Sequence, residues 1–302
     1  MKFTIVLLTY NGGALLQKCI DSMAAIPLAS ILIIDSNSTD NSLAKSIALG
    51  YTVHQIPQSE FNHGATRQLA LTLCPDSEFF IYMTQDAILA SPDSIANLLH
   101  PFADEKIGAV CGRQLPHADA SPLSFHARIF NYASVSSVKS LEDVATLGIK
   151  AAFISNSFAA YRRTALLDVA GFPSDVILGE DTIAVARMLG KGWKIAYCAE
   201  AICYHSHNYS IWEEFQRYFD IGVFHGREPW YLSFLGQAEG EGEKFVLSEM
   251  LFLLRRAPWL MPSALVRTAC KLLGYKLGQR ERRIPLGVKR SLSMHRGFWK
   301  DQ

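Results

Sequence analysis

The chain has 302 residues, 49% of them hydrophobic, enough to bury one large core or two modest ones, and a formal net charge of +1. It has no run of the roughly 20 apolar residues that a membrane-crossing helix needs. Its six cysteines (Cys19, Cys74, Cys111, Cys198, Cys203, Cys270) form no CxxC pair and no regular spacing, which argues against a zinc ribbon or a disulfide framework and for reduced, mostly buried thiols in a cytosolic protein.

The charge is spread unevenly. Residues 255–302 carry 12 of the 29 Lys and Arg but only Glu281 and Asp301 among acids, a net of +10 against −9 for the rest. Such a tail is suited to face something anionic.

The opening "MKFTIVLLTYNGG" has the Lys and apolar run of a leader, but the run stops after about eight residues and no small-residue cleavage site follows, so it reads as a first strand. In chain order the pattern then gives a helix over "ALLQKCIDSM", a strand "SILIIDS", a helix ending near Gly50 and a strand "YTVHQIP". A helix near 65–74, the strand "FFIYMT", a helix opened by Ser91-Pro92 and the strand "IGAVCG" follow. Residues 114–150 lose periodicity and read as an excursion or flexible connection. From 151 come "AAFISNSFAAYRR", a helix to Val169, the turn "GFPSD", and a helix from "GEDT" closed by Gly190 or Gly192. "KIAYC" and "AICYH" follow as two strands, then a helix over "SIWEEFQRYFDIGVFH". This βαβα order, with strands that lack polar alternation, predicts a parallel sheet covered by helices on both faces.

Ligands of such sheets bind beyond the carboxyl ends of the strands, which puts Asp35 and Asp86 on one edge. Neither GxxxxGK[ST] nor GxGxxG is present, so phosphate must be held in another way, and a divalent metal on a carboxylate is the common substitute. At this level Asp86 is either a metal ligand or the cap of the next helix. Asp35, in "DSNSTDNS", is equally open, and the cluster reads first as a turn with Asp40 as an N-cap.

The segments "TIVLLTYNGGALLQKCIDSM", "ILIIDSNSTDNS", "FNHGATRQLAL", "MTQDAIL" and "GEDTIAVARMLGKGWKIAYCAEAICYHSH" occur in the order and spacing of family-two nucleotide-sugar glycosyltransferases. Across residues 3–225 the chain resembles that family. "FNHGATR" with "YHSHNYS" and the following helix is most similar to bacterial rhamnosyltransferases of O-antigen and other surface polysaccharides.

The resemblance implies a GT-A fold, Rossmann-like with a mostly parallel sheet, over residues 1–225; residues 226–302 read from their own apolar stripes and clustered bases as a helical, basic C-terminal region. The resemblance also implies an inverting transfer of L-rhamnose from dTDP-L-rhamnose to a lipid-linked glycan. The alternatives are another dTDP- or UDP-sugar donor, or an inactive binding module. It further implies that Asp35, Thr9, Tyr10, Asn11, Arg67 and Gln85 meet the donor nucleotide. Asp86 and His205 would bind Mg²⁺ or Mn²⁺, and Asp181 would be the catalytic base. The sequence departs from the family's pattern at Gln85 and Ser36, where further acids are frequent, so fewer anionic ligands are available to a metal.

Other residues keep two readings. Glu180 suits a helix start or an acceptor contact, and His63 a loop hydrogen bond or catalysis. His205-Ser206-His207 has both imidazoles on one face but lacks the companions of a structural zinc site. The tail either packs on the core with a solvated basic face or lies in the plane of an anionic inner leaflet, which would make a cytoplasmic protein peripheral to the membrane. Nothing in it reads as a nucleic-acid motif.

Overall fold

The computed structural model describes residues 1–236 and 240–300. Its elements in chain order are β1 (Phe3–Thr9), α1 (Gly13–Ser22), β2 (Ile31–Asp35), α2 (Ala44–Ala48), β3 (Thr52–Gln55), α3 (His63–Leu73), β4 (Phe79–Thr84), β5 (Ile88–Leu89), α4 (Ser94–Leu99) and β6 (Ile107–Leu115). Then come α5 (Pro122–Asn131), β7 (Ser137–Lys139), α6 (Val144–Leu147), β8 (Phe158–Arg162), α7 (Arg163–Asp168), α8 (Glu180–Gly190) and β9 (Lys194–Tyr204). Five helices follow: α9 (Ile211–Arg227), α10 (Pro229–Leu235), α11 (Glu241–Arg256), α12 (Met261–Gly278) and α13 (Leu286–Leu292).

One sheet runs β3-β2-β1-β4-β8-β6-β9-β5, with β7 pairing on β9. β1 to β4, β6 and β9 share one direction, while β8, β5 and β7 run against it. The sheet is thus mostly parallel. Successive residues of β1 explain its unbroken apolar run: Ile5 and Leu7 enter a core with Leu16 and Ile20, and Val6 and Leu8 enter the other with Tyr82 and Phe219. Both faces are covered, so neither can be polar.

Three expectations are corrected. The 114–150 excursion contains α5, whose start signal, Ser121 as N-cap and Pro122 at the first helical position, stands in the sequence. "AAFISNSFAAYRR" supplies β8 over Phe158–Arg162, which runs antiparallel to β4 and β6 in a sheet whose βαβα order reads as parallel. The two strands expected over 194–205 are one, β9, which skips from Cys198 to Ile202 opposite the consecutive β6 residues Gly112 and Arg113, an irregularity that made one strand read as two.

α9 and α12 cross backbone to backbone. A Cβ on Gly278 would lie 2.0 Å from the Phe219 carbonyl oxygen, and one on Gly222 would lie 2.2 Å from that of Tyr275. Trp299, near the chain end, is fully buried in the same core as Phe215 and Phe219. The C-terminal helices therefore pack on the sheet domain.

Candidate active site

The carboxyl ends of β1, β2 and β4 lie side by side, with Thr9 opposite Asp35 and Leu8 opposite Thr84. Beyond them opens a cavity of about 830 Å³ whose wall includes Thr9, Tyr10, Arg67, Gln85, Asp86, Asp181 and His205. Of the sequence-derived site residues, Asn11 and Asp35 are not on that wall. Asp35 is fully buried, accepting from the Ser38 amide (2.9 Å), the Ser38 hydroxyl (2.5 Å) and Gln55 Nε2 (3.3 Å). Asn11 Oδ1 accepts from the Thr39 amide at 2.8 Å. Together they shape the 36–40 loop, whose Ser36 does reach the cavity.

Gln85 acts as a fastener. Its Oε1 accepts from Thr9 Oγ1 (2.7 Å) and the Tyr10 amide (2.9 Å), and its Nε2 donates to the Tyr10 carbonyl (3.2 Å). The amide ties the end of β1 to the end of β4, which a carboxylate could do only in part, having no donor.

Asp86 meets two histidines because of β5. That strand pairs antiparallel to the end of β9, Ile88 opposite Tyr204, so two residues back along one chain face two residues on along the other. Asp86 Oδ2 lies 3.4 Å from His205 Nε2 and 3.6 Å from His207 Nε2. A two-residue strand leaves no periodic signal, and His207 was identified in the sequence only as sharing a face with His205.

The tautomer of His205 follows from its other side. Gln114 Oε1 accepts from Arg128 Nη1 at 2.7 Å and lies 2.9 Å from His205 Nδ1. An acceptor there requires Nδ1 to carry the proton. Burial lowers the pKa of His205, and that of His207 to about 4, so both rings are neutral near pH 7. Burial opposes charge on Asp86; the hydrogen bond and charge of His205, and then the charge of His207, hold its carboxyl well below the usual carboxylate range when those rings are protonated, and a cation seated among them would do the same. The Nε2 lone pair of His205 thus faces an ionised oxygen, an arrangement that calls for a cation between them. The three donor atoms lie within 4.8 Å of one another, and one carboxylate oxygen with two imidazole nitrogens fits a divalent transition-type metal.

Asp181 occupies the first turn of α8, where Gly179, at φ +82°, turns the chain. Its Oδ2 accepts from the Asn156 amide (3.1 Å) and its Oδ1 from the Thr182 amide (2.8 Å), so the carboxylate is held in place. Burial, and then the charge of Glu180, raise its pKa to about 6. Glu180 is itself buried, and Arg67 Nη1 donates to its Oε1 at 2.6 Å, with Asn156 Nδ2 at 3.3 Å. Arg67 is thereby committed to Glu180 while still bordering the cavity. Asn156 carried no pattern in the sequence, because its position depends on β8 running in reverse.

A mostly parallel sheet whose strand ends open on a cavity with a carboxylate–histidine cluster is the arrangement expected of the GT-A fold. The model of glycosyl transferase family 2 matches residues 4–169, and the chain belongs to that family. It is 49% identical over 302 residues to the O-antigen chain rhamnosyltransferase RfbN of Salmonella typhimurium, covering 99% of this chain and 96% of that one. It is 47% identical over 303 residues to the O-antigen chain rhamnosyltransferase WbaN of Salmonella anatum, covering 98% and 95%. Among solved structures it resembles the mannosyltransferase PcManGT of Pyrobaculum calidifontis in complex with GDP-Man and Mn²⁺, with TM-score 0.58 and 18% identity over 99% of this chain and 84% of that one. It also resembles S. aureus TarS in complex with UDP-GlcNAc, with TM-score 0.52 and 15% identity over 94% and 92%. At these identities the structural likenesses show the fold.

Proposed function

We propose that this glycosyltransferase moves L-rhamnose from dTDP-L-rhamnose to a lipid-linked glycan in O-antigen synthesis, inverting the anomeric carbon. The observation that carries this is the near-complete coverage, at almost half identity, by two relatives named as O-antigen chain rhamnosyltransferases.

Asp181 is the base in this reading. An acceptor hydroxyl gives its proton to the carboxylate as the hydroxyl oxygen bonds the anomeric carbon, and the bond to the donor diphosphate breaks with its electron pair on the departing phosphate. A carboxyl raised to about 6 is still mostly ionised near neutral pH and is a stronger base than an ordinary one. Glu180, kept ionised by Arg67, sustains that elevation. Asp86, His205 and His207 would hold Mg²⁺ or Mn²⁺, with the two nitrogen donors favouring Mn²⁺. When bound, the metal would supply a Lewis acid for the diphosphate charge. Thr9, Tyr10 and Ser36 would border the nucleotide, with Asn11, Asp35 and Gln85 holding that wall in shape.

Residues 226–302 would place the enzyme on the inner face of the membrane. Leu247, Leu251 and Leu254 form an exposed stripe on α11, Trp259 beyond it is 73% exposed, and Arg255 and Arg256 stand beside them in solvent. Apolar side chains flanked by cations suit an anionic bilayer surface. No helix among the described residues is long and apolar enough to cross a membrane.

Calorimetric titration with dTDP-L-rhamnose, UDP-galactose and UDP-GlcNAc, each with Mn²⁺ and with EDTA, tests the donor. Selective, metal-assisted binding of dTDP-L-rhamnose is expected. Preference for a UDP-sugar would overturn the donor assignment, and no binding at all would favour a module without turnover.

A further inference from the structure

The C-terminal segment enters the catalytic cavity. After α13 the chain passes Ser293, and Met294 and His295 then line the same cavity as Asp181. Their position is fixed through the backbone, since the amides of Met294 and His295 both donate to Asp220 Oδ2, at 2.9 and 3.1 Å. Asp220 is fully buried on α9. Gln216, one turn earlier, donates from Nε2 to the Ser291 carbonyl at 2.9 Å. On the far side Trp299 is anchored in the core, with Arg227 5.3 Å and Lys289 5.1 Å from its ring centroid. The segment is thus strapped at both ends, and His295 lies between the straps.

A chain of contacts places His295 on the Asp181 side of the cavity. Its ring meets His63 edge-on at 5.3 Å, His63 Nδ1 lies 3.3 Å from Arg67 Nη1, and Arg67 holds Glu180, the neighbour of Asp181. The base must touch the acceptor hydroxyl, so side chains on this side face the acceptor. His63, His205 and His225 each have a ring nitrogen bonded within the protein. Neither ring nitrogen of His295 has such a partner among the described residues, although the side chain is half-buried in the wall. Burial pushes its pKa down to about 3, which leaves a neutral imidazole. A neutral ring offers one donor and one acceptor, which matches a sugar hydroxyl and offers no charge to a phosphate.

We infer that His295 binds a hydroxyl of the acceptor sugar, so that the C-terminal segment forms one wall of the acceptor subsite and helps set which hydroxyl meets Asp181. The inference rests on the proposed function, with Asp181 as the base.

The test uses the full-length protein with saturating dTDP-L-rhamnose and a varied lipid-linked oligosaccharide extracted from bacterial inner membranes, comparing wild type, His295→Ala and His295→Gln. Loss of one hydrogen bond should raise the acceptor KM of His295→Ala about tenfold, with kcat changed by less than about threefold. Donor binding measured by calorimetry should be unchanged, and His295→Gln, which keeps a donor and an acceptor, should recover part of the loss. An acceptor KM unchanged in His295→Ala would overturn the inference, as would a fall confined to kcat. Failure of the underlying reading would show in the wild type instead. Activity with a UDP-sugar alone would overturn the donor only, and the same KM comparison would then be made with that sugar. A wild type inert with every donor would overturn both.

Discussion

Replacing Asp181 by Asn should stabilise the protein while disabling it. An acid raised from 3.8 to about 6 makes the folded, ionised form cost about 3 kcal/mol above pH 6. The amide removes that charge beside Glu180, but it has one oxygen where the carboxylate had two. The amides of Asn156 and Thr182 each donate to a different oxygen of Asp181, so one loses its acceptor at a cost of about 1 kcal/mol. The net gain of about 2 kcal/mol corresponds to about 3 °C in Tm for a chain of this length.

The sign depends on pH. The penalty is complete above about pH 6, where folded Asp181 is ionised, and disappears below about 3.8, where it is protonated in both states. Thermal unfolding at about pH 7.5 and about pH 4 should therefore show the variant above wild type at the first and slightly below it at the second. Transfer should fall about 10²–10⁴-fold at the higher pH, the usual contribution of a general base. A Tm difference of the same sign and size at both pH values would refute the electrostatic part of this reasoning. Transfer within about threefold of wild type would refute the assignment of the base.

His207→Ala should weaken Mn²⁺ binding about 10-fold or more, read by calorimetry or by the Mn²⁺ electron-spin signal, and Asp86→Ala should weaken it further; an unchanged titration in either would remove that residue from the metal set. Gly278→Ala places a Cβ against the Phe219 carbonyl, and a loss of about 3 kcal/mol in urea unfolding is expected, the upper end for overpacking. Stability equal to wild type would mean that α9 and α12 separate readily. Trp259→Ser combined with Leu254→Ser should reduce sedimentation with vesicles containing phosphatidylglycerol while leaving soluble donor binding intact. Equal sedimentation would argue that this ridge does not meet lipid.

Much of the sheet was legible in the sequence because a strand buried on both faces is mostly apolar, and β1, β2, β4 and the Ile107–Gly112 part of β6 follow that rule. The site was legible in part. Asp86 could be placed on the sheet edge because it ends a buried strand, and Asp181 because it opens a long, regular helix. What joined them was not. The meeting of Asp86 with His205 and His207 depends on β5, too short for any period, and the Asn156 contact depends on β8 running in reverse, which composition does not encode. Gln85 stands in the sequence where an acid is frequent, and only the structure shows that it also ties two strand ends together. His295 stood in a basic tail whose bulk charge drew attention to its surface, whereas its place in the cavity wall depends on Asp220, more than seventy residues earlier.

The most direct measurement is the product itself. Incubation of the purified protein with dTDP-L-rhamnose, Mn²⁺ and the lipid-linked oligosaccharide, followed by NMR of the released glycan, should show one added rhamnose whose anomeric configuration is inverted relative to the donor. Retained configuration would contradict a single displacement assisted by Asp181, and the absence of rhamnose from the product would contradict the proposed function.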